Sequence, residues 1–153
     1  MAMTKATGVN GYVNGPGEGE AYWAVGTKAT IKGPRVMEFE NPPGWEVPLH
    51  VHDDEDEVHY YLEGSVTVTC GDKTLVGTPG SLAFLPKGVP HALRFGDSGP
   101  GRWLWISPVD RGDLAREVGV PASGPEPSEE ELDMERIMKV FEKHGMRFLE
   151  EGH

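Results

Sequence analysis

Between Ala21 and Ile106 the chain alternates apolar and polar residues in short runs, most of them followed within two residues by glycine or proline. Val66-Thr67-Val68-Thr69 is the clearest run, with every second side chain apolar, the period of a strand that buries one face. Runs of this kind predict strands over 21–25, 27–32, 35–40, 45–52, 57–62, 65–70, 73–76, 81–85, 91–95 and 102–106. Gly33-Pro34, Asn41-Pro42-Pro43-Gly44, Glu63-Gly64, Gly71-Asp72 and Pro79-Gly80 supply turns between them. Short strands at even spacing predict an all-β fold, an antiparallel sandwich or barrel of about ten strands.

After Pro108 the period lengthens. Leu132, Met134, Ile137, Met138 and Phe141 recur at helical spacing, Ser128 and Glu131 have capping-box spacing, and Gly145 can close the helix. The methionines here read as packing rather than a cofactor box. Residues 121–127 read as a linker. The expected organisation is an N-terminal arm over 1–20, a β-barrel over 21–110, and a C-terminal helical extension over 111–153. That extension would lie on the barrel or on a partner subunit.

A length of 153 residues allows one domain with a sizeable core, and 21 Gly and 13 Pro suit many tight turns better than a helical bundle. No apolar run approaches the ~18 residues of a membrane span, and the polar, glycine-rich start lacks a signal-peptide pattern, so a soluble, cytoplasmic protein is expected. Cys70 is the single cysteine, which excludes an intrachain disulfide, agrees with a reducing compartment and reads as structural. A net charge of −11 argues against nucleic acid and anionic membrane as partners. Of the acidic run Asp53-Asp54-Glu55-Asp56-Glu57, the first four residues read as a solvated loop. Glu57 differs, because it opens the apolar-rich stretch Val58-His59-Tyr60-Tyr61-Leu62.

Candidate chemistry gathers at that point. On a strand, His50 and His52 project from one face, ~6–7 Å apart, near enough for both imidazoles to reach one ion at ~2 Å. Glu57 and the later His91 can complete a donor set of three nitrogens and one oxygen. Such a set suits a divalent first-row ion and leaves positions open for substrate.

The spacing is also specific. Gly44, five residues, His50-Val51-His52, four residues, Glu57, six residues and Gly64 match the first motif of the cupin superfamily at every fixed position. Gly80, five residues, Pro86, one residue, Gly88, two residues and His91 match the second, after a fifteen-residue spacer. Phe95 is the one departure, where the family pattern has Asn. The resemblance implies a cupin barrel, that is, a double-stranded β-helix or jelly roll. It also implies one divalent transition metal ion (Fe, Ni, Mn, Co or Zn) held by His50, His52, Glu57 and His91. A metal-free barrel with the ligands kept as relics is the bland alternative.

His59, two residues beyond Glu57, shares its inward face. It reads as a base or hydrogen-bond donor beside the ion, as a replacement ligand with Glu57 swung away, or as a wall residue. Beyond the motifs, Gly19-Glu20-Ala21-Tyr22-Trp23, residues 57–64, Pro86 to His91 and Lys143 to Leu149 resemble the bacterial quercetin dioxygenase-like cupins. That resemblance implies a homodimer and a flavonol 2,4-dioxygenase-like enzyme acting on a small aromatic polyphenol. Glu57 and His59 would be its catalytic residues, with Tyr22, Trp23, Met37, Phe39, Tyr61, Phe84, Trp103 and Trp105 as candidates to line the mouth. Two alternatives use the same barrel: an aromatic polyketide cyclase with a zinc-like Lewis acid and no oxygen, and a small-molecule binder without turnover.

Overall fold

The computed structural model describes residues 11–150. All ten expected strands are present, each within one residue of its expected ends: β1 Glu20–Ala24, β2 Thr27–Gly33, β3 Val36–Asn41, β4 Glu46–His52, β5 Glu57–Glu63, β6 Val66–Cys70, β7 Lys73–Gly77, β8 Leu82–Leu85, β9 His91–Phe95 and β10 Gly101–Ile106. Helix α1 (Gly112–Val118), strand β11 (Val120–Pro121), helix α2 (Met134–Lys143) and strand β12 (Met146–Phe148) follow. One antiparallel sheet runs β11-β1-β2-β3-β10-β5-β8, and the other runs β12-β4-β9-β6-β7. Together they make the antiparallel two-sheet fold expected from the alternation, in the jelly-roll form that the cupin resemblance implies. Strands β11 and β12 are too short for any periodicity to announce them. Both add to an existing edge, β11 beside β1 and β12 beside β4.

Alternation sets the core. On β5 the inward residues are Glu57, His59 and Tyr61; on β9 they are His91, Leu93 and Phe95; on β10, Trp103 and Trp105. Strand β4 departs from strict alternation. Its pairing with β9 shifts by one residue between Val47, opposite Leu93, and His50, opposite His91. The extra residue is a bulge at Pro48-Leu49, a natural place for a proline that has no ladder N–H to give. The bulge changes the phase of the strand, so Val47, His50 and His52 all reach the interior.

The C-terminal helix begins later than the capping-box spacing implies. Ser128 N–H does donate to Glu131 Oε1 at 2.9 Å, but this closes a short 3₁₀ turn over Glu129–Glu131. Asp133 caps α2 instead, its side chain accepting from Arg136 N–H at 3.1 Å. Ile137 is buried, and Gly145 ends the helix with φ of 82°. Helix α2 also packs against α1: Arg136 Nη1 donates to the Glu117 carbonyl at 2.7 Å, and Lys143 Nζ donates to Glu117 Oε2 at 2.9 Å.

The first ten residues of the expected N-terminal arm lie outside the described residues. Over the next stretch, Asn14 Nδ2 donates to the Lys32 carbonyl at 2.9 Å. Lys32 Nζ donates in turn to the carbonyls of Gly15 and Glu18 at 2.7 and 2.9 Å. Among the described residues no helix is long and apolar enough to cross a membrane.

Gly64 shows how tightly the motif glycines are held. Its φ is 84°, and a Cβ there would lie 2.9 Å from the Pro100 carbonyl oxygen. Gly64→Ala is therefore expected to lower the unfolding free energy by roughly 1–3 kcal/mol, from left-handed strain plus the close contact. Urea denaturation checks this, and an unchanged midpoint would contradict it.

Candidate metal centre

His50 and His52 come from β4, Glu57 opens β5 in the facing sheet, and His91 opens β9 directly opposite His50. The loop Asp53–Asp56 carries the chain from one sheet to the other. The second motif's turn is fastened to it: Gly88 N–H donates to the His52 carbonyl at 2.8 Å, and Lys87 N–H donates to Asp56 Oδ1 at 2.9 Å. Fixing this turn fixes where β9 starts, and hence His91.

The four side chains are buried, and one ligand atom from each lies within 4.8 Å of the other three. Glu57 Oε2 stands 2.8 Å from His52 Nε2 and 3.1 Å from His91 Nε2. Those separations are short, yet His52 Nε2, His91 Nε2 and Glu57 Oε2 have no hydrogen-bond partner in angular terms. Orphaned buried polar atoms are costly and rare. Here they converge, and the donor set of imidazole nitrogens and one carboxylate oxygen fits a single divalent ion.

The far side of each ring is also fixed. His50 Nδ1 lies 2.8 Å from the Pro48 carbonyl, and His91 Nδ1 lies 3.3 Å from that of Val89. A carbonyl only accepts, so each Nδ1 carries the proton and each Nε2 lone pair is left for the ion. Burial, with His91 beside it, holds the His50 ring down to about 3, so it stays neutral.

His52 has a different backing. Its Nδ1 stands 3.4 Å from Glu55 Oε1. Burial opposes charge on this ring, but the carboxylates of Glu55 and Glu57 outweigh it and raise its pKa to about 9. Glu55 is buried, contrary to the solvated-loop expectation for the first four acids; Asp53, Asp54 and Asp56 are exposed. The reason is Arg111, whose Nε and Nη2 reach Glu55 Oε2 at 3.0 and 2.5 Å, joined by Ser107 Oγ at 3.1 Å. Arg111 is the N-cap residue of α1, so one carboxylate ties a metal-ligand ring to a helix. An acidic run gives no periodic signal for such a residue. Its place two residues before Glu57 was the only available hint.

His59 lies behind Glu57. Its Nε2 is 2.7 Å from Glu57 Oε1, and its Nδ1 is 3.0 Å from the Tyr61 hydroxyl. Burial and nearby Glu57 push the Tyr61 hydroxyl above its ordinary value, so it keeps its proton and donates to Nδ1. Nε2–H then donates to Glu57. Burial would raise the Glu57 carboxyl, but His59, His52 and His91 outweigh it and hold the group well below the usual range.

His50, His52, Glu57 and His59 open on a cavity of ~390 Å³ between the sheets. Of the aromatic and methionine candidates, Met37, Phe39, Trp103 and Trp105 line it; Tyr61 is buried behind His59, and Phe84 is exposed on β8. Tyr22 and Trp23 are outside the lining, with Trp23 Nε1 bonded to the Gly124 carbonyl at 2.9 Å. Trp45 and both helices complete the wall, α1 through Leu114, Ala115 and Val118 and α2 through Met134, Met138 and Phe141. The α2 methionines are therefore cavity-facing as well as packing residues. Phe95, the departure from the family pattern, is core, packed between Trp45, Tyr61 and Trp103.

The chain is similar in fold to known proteins. Residues 37–107 match the family described as Cupin domain. An RmlC-like cupin from Shewanella frigidimarina superposes with a TM-score of 0.58 at 23% identity, over 69% of this chain and 96% of that one. A predicted oxalate decarboxylase from Thermotoga maritima gives 0.51 at 21% identity, over 54% and 80%. The polyketide cyclase RemF from Streptomyces resistomycificus gives 0.47 at 25% identity, over 69% and 79%. No curated protein matches the chain by sequence.

If Glu55 backs His52 as described, Glu55→Gln lowers divalent-ion affinity by about 10–100-fold. Competition against a chromophoric chelator measures it; unchanged affinity would remove Glu55 from the support of the site.

Proposed function

We propose, from the match of residues 37–107 to the Cupin domain family, that the protein is a metal-dependent enzyme that removes a proton from an enolic or phenolic hydroxyl of a small aromatic substrate, with quercetinase-like oxygenation as the reaction. One observation carries the reading: a buried His50, His52, Glu57 and His91 cluster that opens on an aromatic-walled cavity. Those four residues would hold one divalent ion, which when bound supplies Lewis acidity that lowers the pKa of a substrate hydroxyl.

The chain's own groups do the rest. Glu57 is the base. Its carboxylate is kept ionised by the surrounding imidazoles, and Oε1 retains a lone pair beyond the one that accepts from His59. His59, steadied by Tyr61, fixes the carboxylate's rotation. Trp103 and Trp105 stack on Phe39, with ring centroids 4.5 and 6.2 Å from it, and all three line the cavity, where they would contact an aromatic ring. Proton loss leaves an electron-rich enolate, the form of the ring open to attack by dioxygen.

The chain from Glu57 through His59 to Tyr61 favours a second reading. It gives an abstracted proton a place to wait and return, as ring closure of a poly-β-ketone requires, without oxygen. A homodimer belongs to the proposal too, supported by edge strand β8, whose Leu82 and Phe84 are exposed.

Oxygen uptake with a flavonol is expected from the metal-loaded protein, and Glu57→Gln should reduce it at least ~100-fold. Anaerobic turnover of a poly-β-ketone would transfer the assignment to cyclisation. A protein that binds its ion and turns over neither substrate would sink the enzymatic reading.

A further inference from the structure

Helix α1 is too short to hold its shape alone. It spans seven residues, and its N-cap residue, Arg111, forms no side-chain capping hydrogen bond. Isolated helices shorter than ~12–15 residues are marginal in water. Yet Leu114, Ala115 and Val118 line the cavity, and Glu117 is where α2 docks. The N-terminal end of α1 is fastened from outside the helix. Gly112 N–H donates to Asp110 Oδ1 at 2.8 Å, and the Arg111 guanidinium grips Glu55. Arg111 Nε lies 3.2 and 3.0 Å from the two Glu55 oxygens, and Nη2 donates to Oε2. A fork of this kind fixes a carboxylate in both position and rotation. Arg111 thus sets how Glu55 Oε1 meets His52 Nδ1, 3.4 Å away. A second arginine joins the same loop to the C-terminal segment: Arg147 of β12 donates to Asp53 at 2.7 and 2.8 Å. That pair is exposed and contributes little, whereas Arg111 and Glu55 are largely buried, so breaking their pair is costly.

Resting on the metal-dependent reading above, we propose that Arg111 is a positioning residue for the ion, acting through Glu55 on His52, and that ion loading in turn tightens the helical wall of the cavity. A carboxylate only accepts, so His52 Nδ1 carries the proton that faces Glu55. With Nε2 engaged, that N–H becomes a stronger donor, and Glu55 answers it while held by the residue that starts α1. Linkage makes the coupling reciprocal: whatever α1 contributes to ion affinity, the ion returns to α1. Helix α2 follows, because Arg136 and Lys143 bind it to Glu117. The cavity therefore takes its working shape together with the ion.

Hydrogen exchange of the intact protein, with and without zinc, tests this. Zinc is expected to slow exchange in α1 and α2 by at least ~tenfold more than in the β6–β7 hairpin. In Arg111→Met the extra slowing should vanish from both helices while β4 and β9 keep theirs. Its zinc affinity, measured against a chromophoric chelator, should fall ~10-fold or more. Arg111→Lys should recover part of that affinity, because it keeps a charge beside Glu55. A purely structural arginine is separated by the double variant Glu55→Gln/Arg111→Met, which also avoids burying a lone carboxylate. If Arg111 acts through Glu55, the two losses of affinity do not add. Arg147→Ala, at the exposed pair, should leave zinc affinity within ~twofold. Helices slowed no more than the hairpin, unchanged affinity in Arg111→Met, no recovery with lysine, fully additive losses, or an equal loss in Arg147→Ala each overturn the proposal. Zinc that protects β4 and β9 but neither helix leaves the metal-dependent reading standing and this inference fallen. Zinc that protects no segment removes both.

Discussion

A carboxylate wedged among three buried imidazoles is the constraint on which the rest of this structure depends. Three ligand rings sit in one sheet and the carboxylate in the other, so the cluster is a polar joint through an otherwise apolar interior. Polar groups that deep are tolerated only when each has a partner. Most of the surrounding architecture supplies those partners. Carbonyls of Pro48 and Val89 hold two rings, Glu55 backs the third, and His59 with Tyr61 holds the carboxylate. What stays unpaired is the set of atoms facing one another at the centre.

Apolar packing and polar support are not separate systems here. Arg111 occupies the N-cap position of the helix whose Leu114, Ala115 and Val118 form part of the cavity wall, and its guanidinium grips Glu55. Helix α2 docks on α1 through Glu117 and closes another side of the same cavity. The ion site and the shape of the space beside it therefore share a mechanical frame. A change in the loop between β4 and β5 reaches the wall through a single buried ion pair.

The barrel strands were readable from alternation because each buries one face, a period that survives without tertiary context. His50, His52, Glu57 and His91 were readable from spacing, since a ligand set needs fixed residue types at fixed intervals. Glu55 was not, because its burial depends on Arg111, fifty-six residues away along the chain. Helix α1 is a short element held by packing, and β11 and β12 exist only because an open edge lay nearby. The late start of α2 has a similar origin: Ser128 and Glu131 found each other, but over a single tight turn.

The bulge at Pro48-Leu49 has a consequence for how the motif itself is read. Strand side chains take faces by counting, and this strand miscounts once, just before the two histidines. Remove that extra residue and the same His-x-His pattern points away from the cavity, with no ligand mutated. The distance from Gly44 to His50 is thus as much a part of the site as the imidazoles. Loss of function by a one-residue deletion here would leave every chemical group in the sequence and none of the chemistry.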